Sequence, residues 1–307
     1  MSLPSHIAER LRLPAIAAPM FLVSGVEMVL AACRAGIIGS FPANNARSLE
    51  DLDAWMGQIA AALSADAPPW AVNIMVHRSY ARWEEEMELV LKHRPPIVIT
   101  ALGSPQAVVE AIHGYGGLVY ADVNSLTFAQ KAARTGVDGL ILVASGAGGH
   151  TGQTAGFAFV PAVREMFEGT IVLGGGIGSG RAVRAARVLG ADLAYLGTRL
   201  IACEESLAVP AYKQMLIEAK ADDIVTSAAL TGIPANWLKA SLTAAGYDAE
   251  GLKVKAEINL GRPEDAAKRW RDVWAAGHGV GEIRAIQPLR EIIDQLVEDY
   301  DEAALTG

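Results

Sequence analysis

One histidine lies among glycines in residues 145–152, directly after the apolar segment Gly139–Val143. The flanking glycines have no side chains that could pack against His150, so its imidazole is available for chemistry. An imidazole has an ordinary pKa of about 6.5 and can accept a proton from a weak carbon acid near neutral pH. We therefore predict that His150 is a catalytic base. The alternative is a hydrogen-bonded structural histidine.

Two further glycine-rich loops come directly after the apolar segments 170–173 and 193–196. Bare backbone amides, together with the N-terminus of a helix predicted to begin near Gly180, attract an anion. The loops therefore suggest a phosphate-bearing cofactor, unless their glycines serve only tight turns. The loop residues predicted to hold the phosphate are Gly174, Gly175, Gly176, Gly197 and Thr198.

Other glycine-loop and catalytic motifs do not fit. Arg181 and Ala182 stand where a nucleotide P-loop requires Lys and Ser or Thr, and neither glycine run matches G-x-G-x-x-G. The nucleophile motif G-x-S-x-G is absent. No histidines have H-x-x-x-H or H-E-x-x-H spacing, so the sequence predicts no metal site.

The ends of two other predicted strands offer contacts for a flat ring. Ala18, Pro19 and Met20 form a rigid turn after the first strand, with Met20 as a soft apolar contact. Asn73 ends the third strand and can offer its side-chain amide to the same ring. The shared location of these residues, at the carboxyl ends of strands, is what makes them candidates.

The elements that must position these residues follow an alternating pattern of apolar, strand-like runs and segments of helical period. Eight such units within about 200 residues favour an α/β fold, a (β/α)8 TIM barrel, over an open doubly wound sheet. Barrel enzymes carry their sites at the carboxyl ends of the strands. The predicted strands are residues 15–18, 36–40, 70–74, 97–100, 118–121, 139–143, 170–173 and 193–196.

The pattern changes after the eighth strand, so we predict a barrel over residues 1–221. Residues 222–281 are predicted to be a small helical lid, punctuated by Pro234, Trp237, Trp270 and Trp274. A closing helix that packs back on the barrel is predicted within residues 282–307, after Pro288.

Composition narrows the function class. The net charge of -8 over 307 residues argues against a nucleic-acid surface and favours small-molecule chemistry. Cys33 and Cys203 lack C-x-x-C spacing, which is typical of buried reduced thiols in a cytoplasmic protein. We expect neither a leader peptide nor a membrane span. A homodimer is one arrangement that the sequence allows.

Five motifs together resemble the nitronate monooxygenase family, formerly called 2-nitropropane dioxygenases, over about residues 13–220. They are Ala-Pro-Met at the first strand, Val-Asn-Ile at the third, Ala-Gly-Gly-His-Thr-Gly after the sixth, Gly-Gly-Gly-Ile after the seventh and Leu-Gly-Thr-Arg after the eighth. The resemblance implies an FMN-dependent barrel that oxidises nitronates or nitroalkanes with dioxygen.

The resemblance also implies roles for particular residues. The position of His150 is that of the catalytic base, and the loops after the seventh and eighth strands hold the FMN phosphate. The first-strand turn and Asn73 approach the isoalloxazine. Gly148 and Gly149, beside the histidine, and Asp122, at the end of the fifth strand, complete the predicted cofactor site.

Two residues depart from the family pattern. Asp122 stands where several relatives carry a neutral or basic residue, and it either lies near the flavin pyrimidine or turns away to bond a loop amide. His278 stands where monooxygenases often have glutamine, and it is either structural or a second proton donor.

Two alternative functions remain at this stage. Related flavin barrels use NAD(P)H to reduce enones, quinones or acyl thioesters, and His150 alone does not separate them from the monooxygenases. A non-redox barrel, such as an isomerase or aldolase, would instead hold its substrate's own phosphate in the glycine loops.

Overall fold

Eight parallel strands form the main sheet of this protein, which a computed structural model describes over residues 3–77, 79–248 and 273–305. Their order in the sheet is β1-β9-β8-β6-β5-β4-β3-β2. The eight strands are β1 (Ala15–Ala17), β2 (Gly39–Pro42), β3 (Trp70–Met75), β4 (Ile97–Ala101), β5 (Leu118–Val123), β6 (Gly139–Val143), β8 (Thr170–Gly174) and β9 (Leu193–Leu196). The α/β barrel predicted from the sequence is confirmed.

The sheet closes between its first and last strands. A parallel bridge joins Ile16 of β1 to Ile38, just before β2. The Ala17 amide donates to the Ile38 carbonyl at 2.8 Å, and the Ile38 amide donates to the Ala15 carbonyl at 3.1 Å. All eight carboxyl ends therefore lie at one rim.

Side chains alternate between the inside and the outside of the closed sheet, as the strand period of two requires. One buried cluster takes a residue from or beside every strand and fills the barrel: Ile16, Ile38, Ala71, Ile97, Ile99, Tyr120, Ile141, Val172 and Leu193. Neighbours such as Val72, Leu140 and Ile171 belong to the cluster packed against the helices. These strands are apolar on both faces because both faces are covered.

Helices follow the barrel strands and cover the outer face of the sheet. The described α-helices are α1 (Ser5–Ala8), α2 (Val26–Ala35), α3 (Leu49–Ala62), α4 (Trp83–His93), α5 (Gln106–His113), α6 (Leu126–Ala133), α7 (Gly156–Arg164), α8 (Gly180–Leu189), α9 (Thr198–Ile201), α10 (Pro210–Glu218), α11 (Lys239–Ala244) and α12 (Leu289–Leu305). Helix α12 begins after Pro288, as predicted, and buries Leu289, Ile292 and Leu296.

Local signals explain several helix ends. Ser48 caps α3 in a reciprocal capping box with Asp51, and Ser179 accepts the Ala182 amide at the start of α8. Helix α7 contains Pro161 in its interior. Burial of Phe159 and Val163 offsets the hydrogen bond that proline removes.

The segment after the barrel differs from the predicted helical lid. Strands β10 (Ile224–Ser227) and β11 (Ala235–Leu238) form an antiparallel hairpin before the short helix α11. Three consecutive β-branched residues, Ile224, Val225 and Thr226, favour a strand, and Gly232 and Pro234 occupy the connection. Residues 249–272, which include Trp270, lie outside the described residues.

We predict that Gly180→Ala destabilises the fold. A Cβ at Gly180 would overlap the carbonyl oxygen of Leu296 and the amide nitrogen of Tyr300, because α8 and α12 approach closely there. Overpacking of this kind costs roughly 1–3 kcal/mol of unfolding free energy, measured by urea denaturation. Gly281→Ala is the matched control, since no heavy atom lies within 4 Å of the added methyl group. Equal stability of the two variants would contradict the close approach.

Candidate functional site

The turn after β1 and the loop after β9 meet at the carboxyl rim of the barrel. A Cβ at Gly197, after β9, would lie 3.6 Å from the Met20 sulfur and 3.8 Å from the Ala18 Cβ. The Ala18 amide also donates to the Leu196 carbonyl at 2.9 Å. The first-strand turn therefore lies directly beside the loop of Gly197 and Thr198.

The glycine run beside the histidine joins the same place. A Cβ at Gly148 would lie 3.0 Å from Thr198 Oγ1, and one at Gly175 would lie 3.2 Å from the Ala147 amide nitrogen. The Gly176 amide donates to the Gly146 carbonyl at 3.2 Å. The loops after β6, β8 and β9 thus form one continuous surface of backbone.

Glycine is required in this surface for conformation as well as for space. Gly175 and Gly176 have φ values of 125° and 71°, in the left-handed region that favours glycine. Nothing lies within 4 Å of a Cβ at Gly176, whereas Gly175 is enclosed by the loop of Ala144–Ala147. Gly176 therefore borders open space, and backbone amides in this conformation could hold an anionic group of a ligand.

Side chains from the neighbouring loop hold the first-strand turn in place. The Met20 amide donates to Ser24 Oγ at 2.9 Å, and Asn45 Nδ2 donates to the Met20 carbonyl at 3.0 Å. Asn45 Oδ1 accepts the Leu22 amide at 2.8 Å, which supports Leu22 at a φ of 61°. This strained residue is fixed by tertiary contacts, so the turn is rigid where a ring would lie.

His150 lies on β7 (Gly149–His150), a two-residue strand within the loop after β6. Strand β11 pairs with it antiparallel, placing Ala235 opposite His150 and Asn236 opposite Gly149. The buried Asn236 side chain donates to the Ala147 carbonyl at 2.7 Å and accepts from Thr226 Oγ1. The hairpin after the barrel therefore positions the histidine loop.

Burial sets the protonation of His150. Its Nε2 atom is shielded from solvent, and burial lowers the pKa of the imidazole below its ordinary value. The ring is therefore neutral near pH 7. A neutral imidazole can accept a proton, which is the state a general base requires.

Three polar side chains point into the barrel from below the rim. Asn73 lies two residues after Ala71, and Asp122 lies two residues after Tyr120. Ala71 and Tyr120 face inward as members of the interior cluster, so the strand period of two turns Asn73 and Asp122 inward as well. Tyr195 packs against the same cluster. Asn73 Nδ2 donates to the Ile99 carbonyl at 3.3 Å, and no contact joins it to the glycine loops among the described residues.

Asp122 and Tyr195 are electrostatically coupled. Burial raises the pKa of Asp122 to about 7, and both burial and the Asp122 carboxylate raise the pKa of Tyr195. Asp122 Oδ1 and the Tyr195 hydroxyl have no hydrogen-bond partners among the described residues. Buried polar atoms of this kind suit a ligand that supplies the missing partners.

Several residues that position the loops of this site belong to no recognisable sequence motif. Ser24, Asn45 and Asn236 act through contacts 4, 25 and 89 residues away along the chain. Tyr195 lies in an apolar strand, and this sequence context predicts that its ring packs in the core. The predicted residues around the rim, by contrast, were all marked by glycine runs or strand ends.

The family model for nitronate monooxygenase matches residues 41–299. A nitronate monooxygenase of Paraburkholderia phytofirmans is 26% identical, covering 94% of this chain and 93% of that protein. A (3aS,4S,5R,7aS)-5-hydroxy-7a-methyl-1-oxo-octahydro-1H-indene-4-carboxyl-CoA dehydrogenase of Mycobacterium tuberculosis is 27% identical over 75% of this chain. The chain spans 64% of the length of the Mycobacterium relatives that it matches.

Among solved structures, nitroalkane oxidase from Streptomyces ansochromogenes superimposes with a TM-score of 0.84. The match covers 98% of this chain and 99% of that chain at 20% sequence identity. Identity this low supports the fold alone. No helix of the described residues is both long and apolar enough to cross a membrane.

We predict that Asp122→Asn stabilises the ligand-free protein as the pH rises. The folded-state pKa of Asp122 is raised, so the wild-type carboxyl favours folding below about pH 4, and this stability is lost as the pH rises towards 7. Asparagine does not ionise. The gain in unfolding free energy should therefore be about 3 kcal/mol larger at pH 8 than at pH 4.5, measured by urea denaturation.

The exposed residue Asp301 provides the matched control for this charge change. Asp301→Asn should leave the pH dependence of stability close to that of the wild type. If Asp122→Asn changes stability by the same amount at both pH values, Asp122 ionises as freely in the folded state as in the unfolded state, and its assignment as a buried acid fails.

Proposed function

The chain belongs to the nitronate monooxygenase family, and from this membership we propose that it is an FMN-dependent oxidoreductase that oxidises nitronates or nitroalkanes with dioxygen. The observation that carries the proposal is the meeting of the His150 loop with two amide-rich loops at one rim of the barrel. Its partners are then a small-molecule substrate and dioxygen.

The loops after β8 and β9 are proposed to hold the FMN phosphate. Gly176 borders an open cradle, and Thr198 lies against Gly148 in the loop after β6. The N-terminus of α8 adds a partial positive charge behind these amides. Bound FMN would supply a two-electron acceptor that dioxygen can reoxidise, which no protein side chain provides.

The ring would lie between the first-strand turn and the inward-facing polar groups. Ala18, Pro19 and Met20 offer backbone and a soft sulfur contact, held rigid by Ser24 and Asn45. Asn73, Asp122 and Tyr195 lie below the rim and offer hydrogen-bonding groups. The two orphaned atoms of Asp122 and Tyr195 support a polar heterocycle at this depth.

His150 is proposed to remove the α-proton of a neutral nitroalkane. Its imidazole is neutral near pH 7 because burial lowers its pKa, so it is ready to accept a proton. Pairing of β7 with β11 holds the imidazole at the rim. A nitronate is already ionised and does not need this step.

A second candidate is an NAD(P)H-dependent flavin reductase or dehydrogenase acting on an enone, quinone or acyl thioester. The Mycobacterium tuberculosis relative favours it, since that protein is named as a dehydrogenase of a carboxyl-CoA compound. The same histidine and phosphate loops would serve either reaction, and only the electron donor and acceptor differ.

Spectroscopy separates these functions. The purified protein, supplied with FMN, should show the visible absorption of a bound flavin, and anaerobic addition of a nitronate should bleach it. Readmitted dioxygen should then restore the colour. Bleaching by NADH and not by a nitronate would select the second candidate. A protein that gains no flavin band with added FMN would exclude both.

We predict that His150→Asn retains bound FMN but slows turnover of a neutral nitroalkane by roughly two to four orders of magnitude, as expected for loss of a general base. Turnover of a preformed nitronate should fall much less. Because burial lowers the pKa of His150, the acid limb of kcat/KM in the wild type should lie below the ordinary histidine range.

The matched control for this substitution is His113→Asn, which alters a histidine paired with Asp138 at 2.8 Å and remote from the rim loops in sequence. It should leave both rates close to wild type. Equal losses on the nitroalkane and the nitronate in His150→Asn would assign His150 a role other than proton removal.

A further inference from the structure

The backbone of His278 is anchored to the glycine loops of the rim. The Gly277 amide donates to Thr198 Oγ1 at 2.8 Å, and the His278 amide donates to the Gly146 carbonyl at 3.0 Å. That carbonyl also accepts the Gly176 amide at 3.2 Å. A segment far along the chain thus completes the surface formed by the loops after β6, β8 and β9.

The imidazole of His278 lies against this surface. Its Nδ1 atom is 3.0 Å from the position that a Cβ on Gly146 would occupy. The residue is nevertheless exposed, and its ring forms no hydrogen bond with another described residue. The ring nitrogens are therefore available to a ligand seated in the loops.

The loops themselves carry no positive side chain. Residues 145–149, 174–178 and 197–198 contain no Lys, Arg or His. Arg199 follows Thr198, and its Nη2 atom donates to Gln295 of α12 at 3.1 Å. Its Nη1 atom is buried without a hydrogen-bond partner among the described residues, and burial lowers the pKa of the guanidinium. Within the glycine runs themselves, a phosphate would meet backbone amides and no cationic side chain.

Few charged side chains lie near His278. They belong to its own segment and to the elements packed against that segment. Glu282 and Arg284 follow it, with the Glu282 side chain against Gly178. Arg199 lies in helix α9 and interacts with both of these charges. The loops after β6 and β8 present no ionisable side chain within residues 144–149 and 174–178.

We propose that the His278 side chain anchors the phosphate monoester of the ligand that these loops hold. The inference rests on the proposed function, under which that ligand is FMN. An imidazole N–H can donate a hydrogen bond to a phosphate oxygen, and the charge of the phosphate strengthens that bond. Loss of this bond should weaken the binding of FMN and leave the binding of riboflavin, which lacks the phosphate, unchanged.

The test compares His278→Ala with the wild type in flavin-stripped protein. Dissociation constants for FMN and for riboflavin are measured by flavin fluorescence under identical conditions. The ratio of variant to wild-type constants should be about ten for FMN, as expected for loss of a hydrogen bond to a charged group, and near one for riboflavin.

A side chain that keeps an N–H donor gives the second arm. His278→Lys should bind FMN to within a few-fold of the wild type, because its ammonium group can donate to phosphate. Equal FMN affinity of His278→Ala and the wild type, or a riboflavin ratio that changes as much as the FMN ratio, would overturn the role of His278. Wild-type protein that binds neither flavin would instead overturn the proposed function.

Discussion

Closure of the parallel sheet between β1 and Ile38 is the constraint on which the rest of the structure depends. In a closed barrel every strand delivers its carboxyl end to one rim, so loops that are far apart along the chain become neighbours. The Ala18 turn meets Gly197, and the loop after β6 meets the loop after β8, only because the strand order runs through to β9 and back to β1. The site follows from the topology before any particular side chain is considered.

Rigidity at this rim comes from polar groups that belong to other loops. Asn45 supports the first-strand turn, and Asn236 ties the hairpin to the loop that carries His150. Each of these amides satisfies backbone groups, so truncating either would leave them without partners at a cost of about 1–3 kcal/mol each. The backbone of these rim loops is thereby held in place without the regular hydrogen bonds of helix or sheet.

How far the sequence predicts this arrangement differs between its parts. The eight strands could be predicted because apolar runs covered on both faces leave a plain signal. Gly175 and Gly176 could be predicted as a loop because glycine permits φ values near 125° and 71°, whereas Gly174 is the last residue of β8. The hairpin of β10 and β11 was expected to be helical. The β-branched run Ile224–Thr226 is a local signal for β10. The pairing of β11 with β7 joins residues more than 80 positions apart, and no local pattern indicates it.

The polar residues of the site also differ in how far the sequence predicts their positions. His150 stood out because its neighbours are glycines, whereas Tyr195 and Asn236 lie in strands whose local patterns favour core packing. Asp122 was visible as a departure from the family pattern, but whether it turned inwards could not be read from its neighbours in sequence. Its inward position follows from its register beside Ile141, which places both on the interior face.

The electrostatic character of the site follows from these positions. Burial keeps the His150 imidazole neutral and brings the pKa of Asp122 to about 7, so neither group carries a full charge in the interior near neutral pH. The glycine loops add only amide dipoles, and the imidazole of His278 lies at their exposed edge. Residues 145–149 and 174–178 contain no lysine or arginine, so the ionisable groups of this rim are carried by side chains around these glycine runs. Under the proposed function, proton positions at such a site would distinguish a neutral carbon acid from its anion, and this is the difference between a nitroalkane and a nitronate.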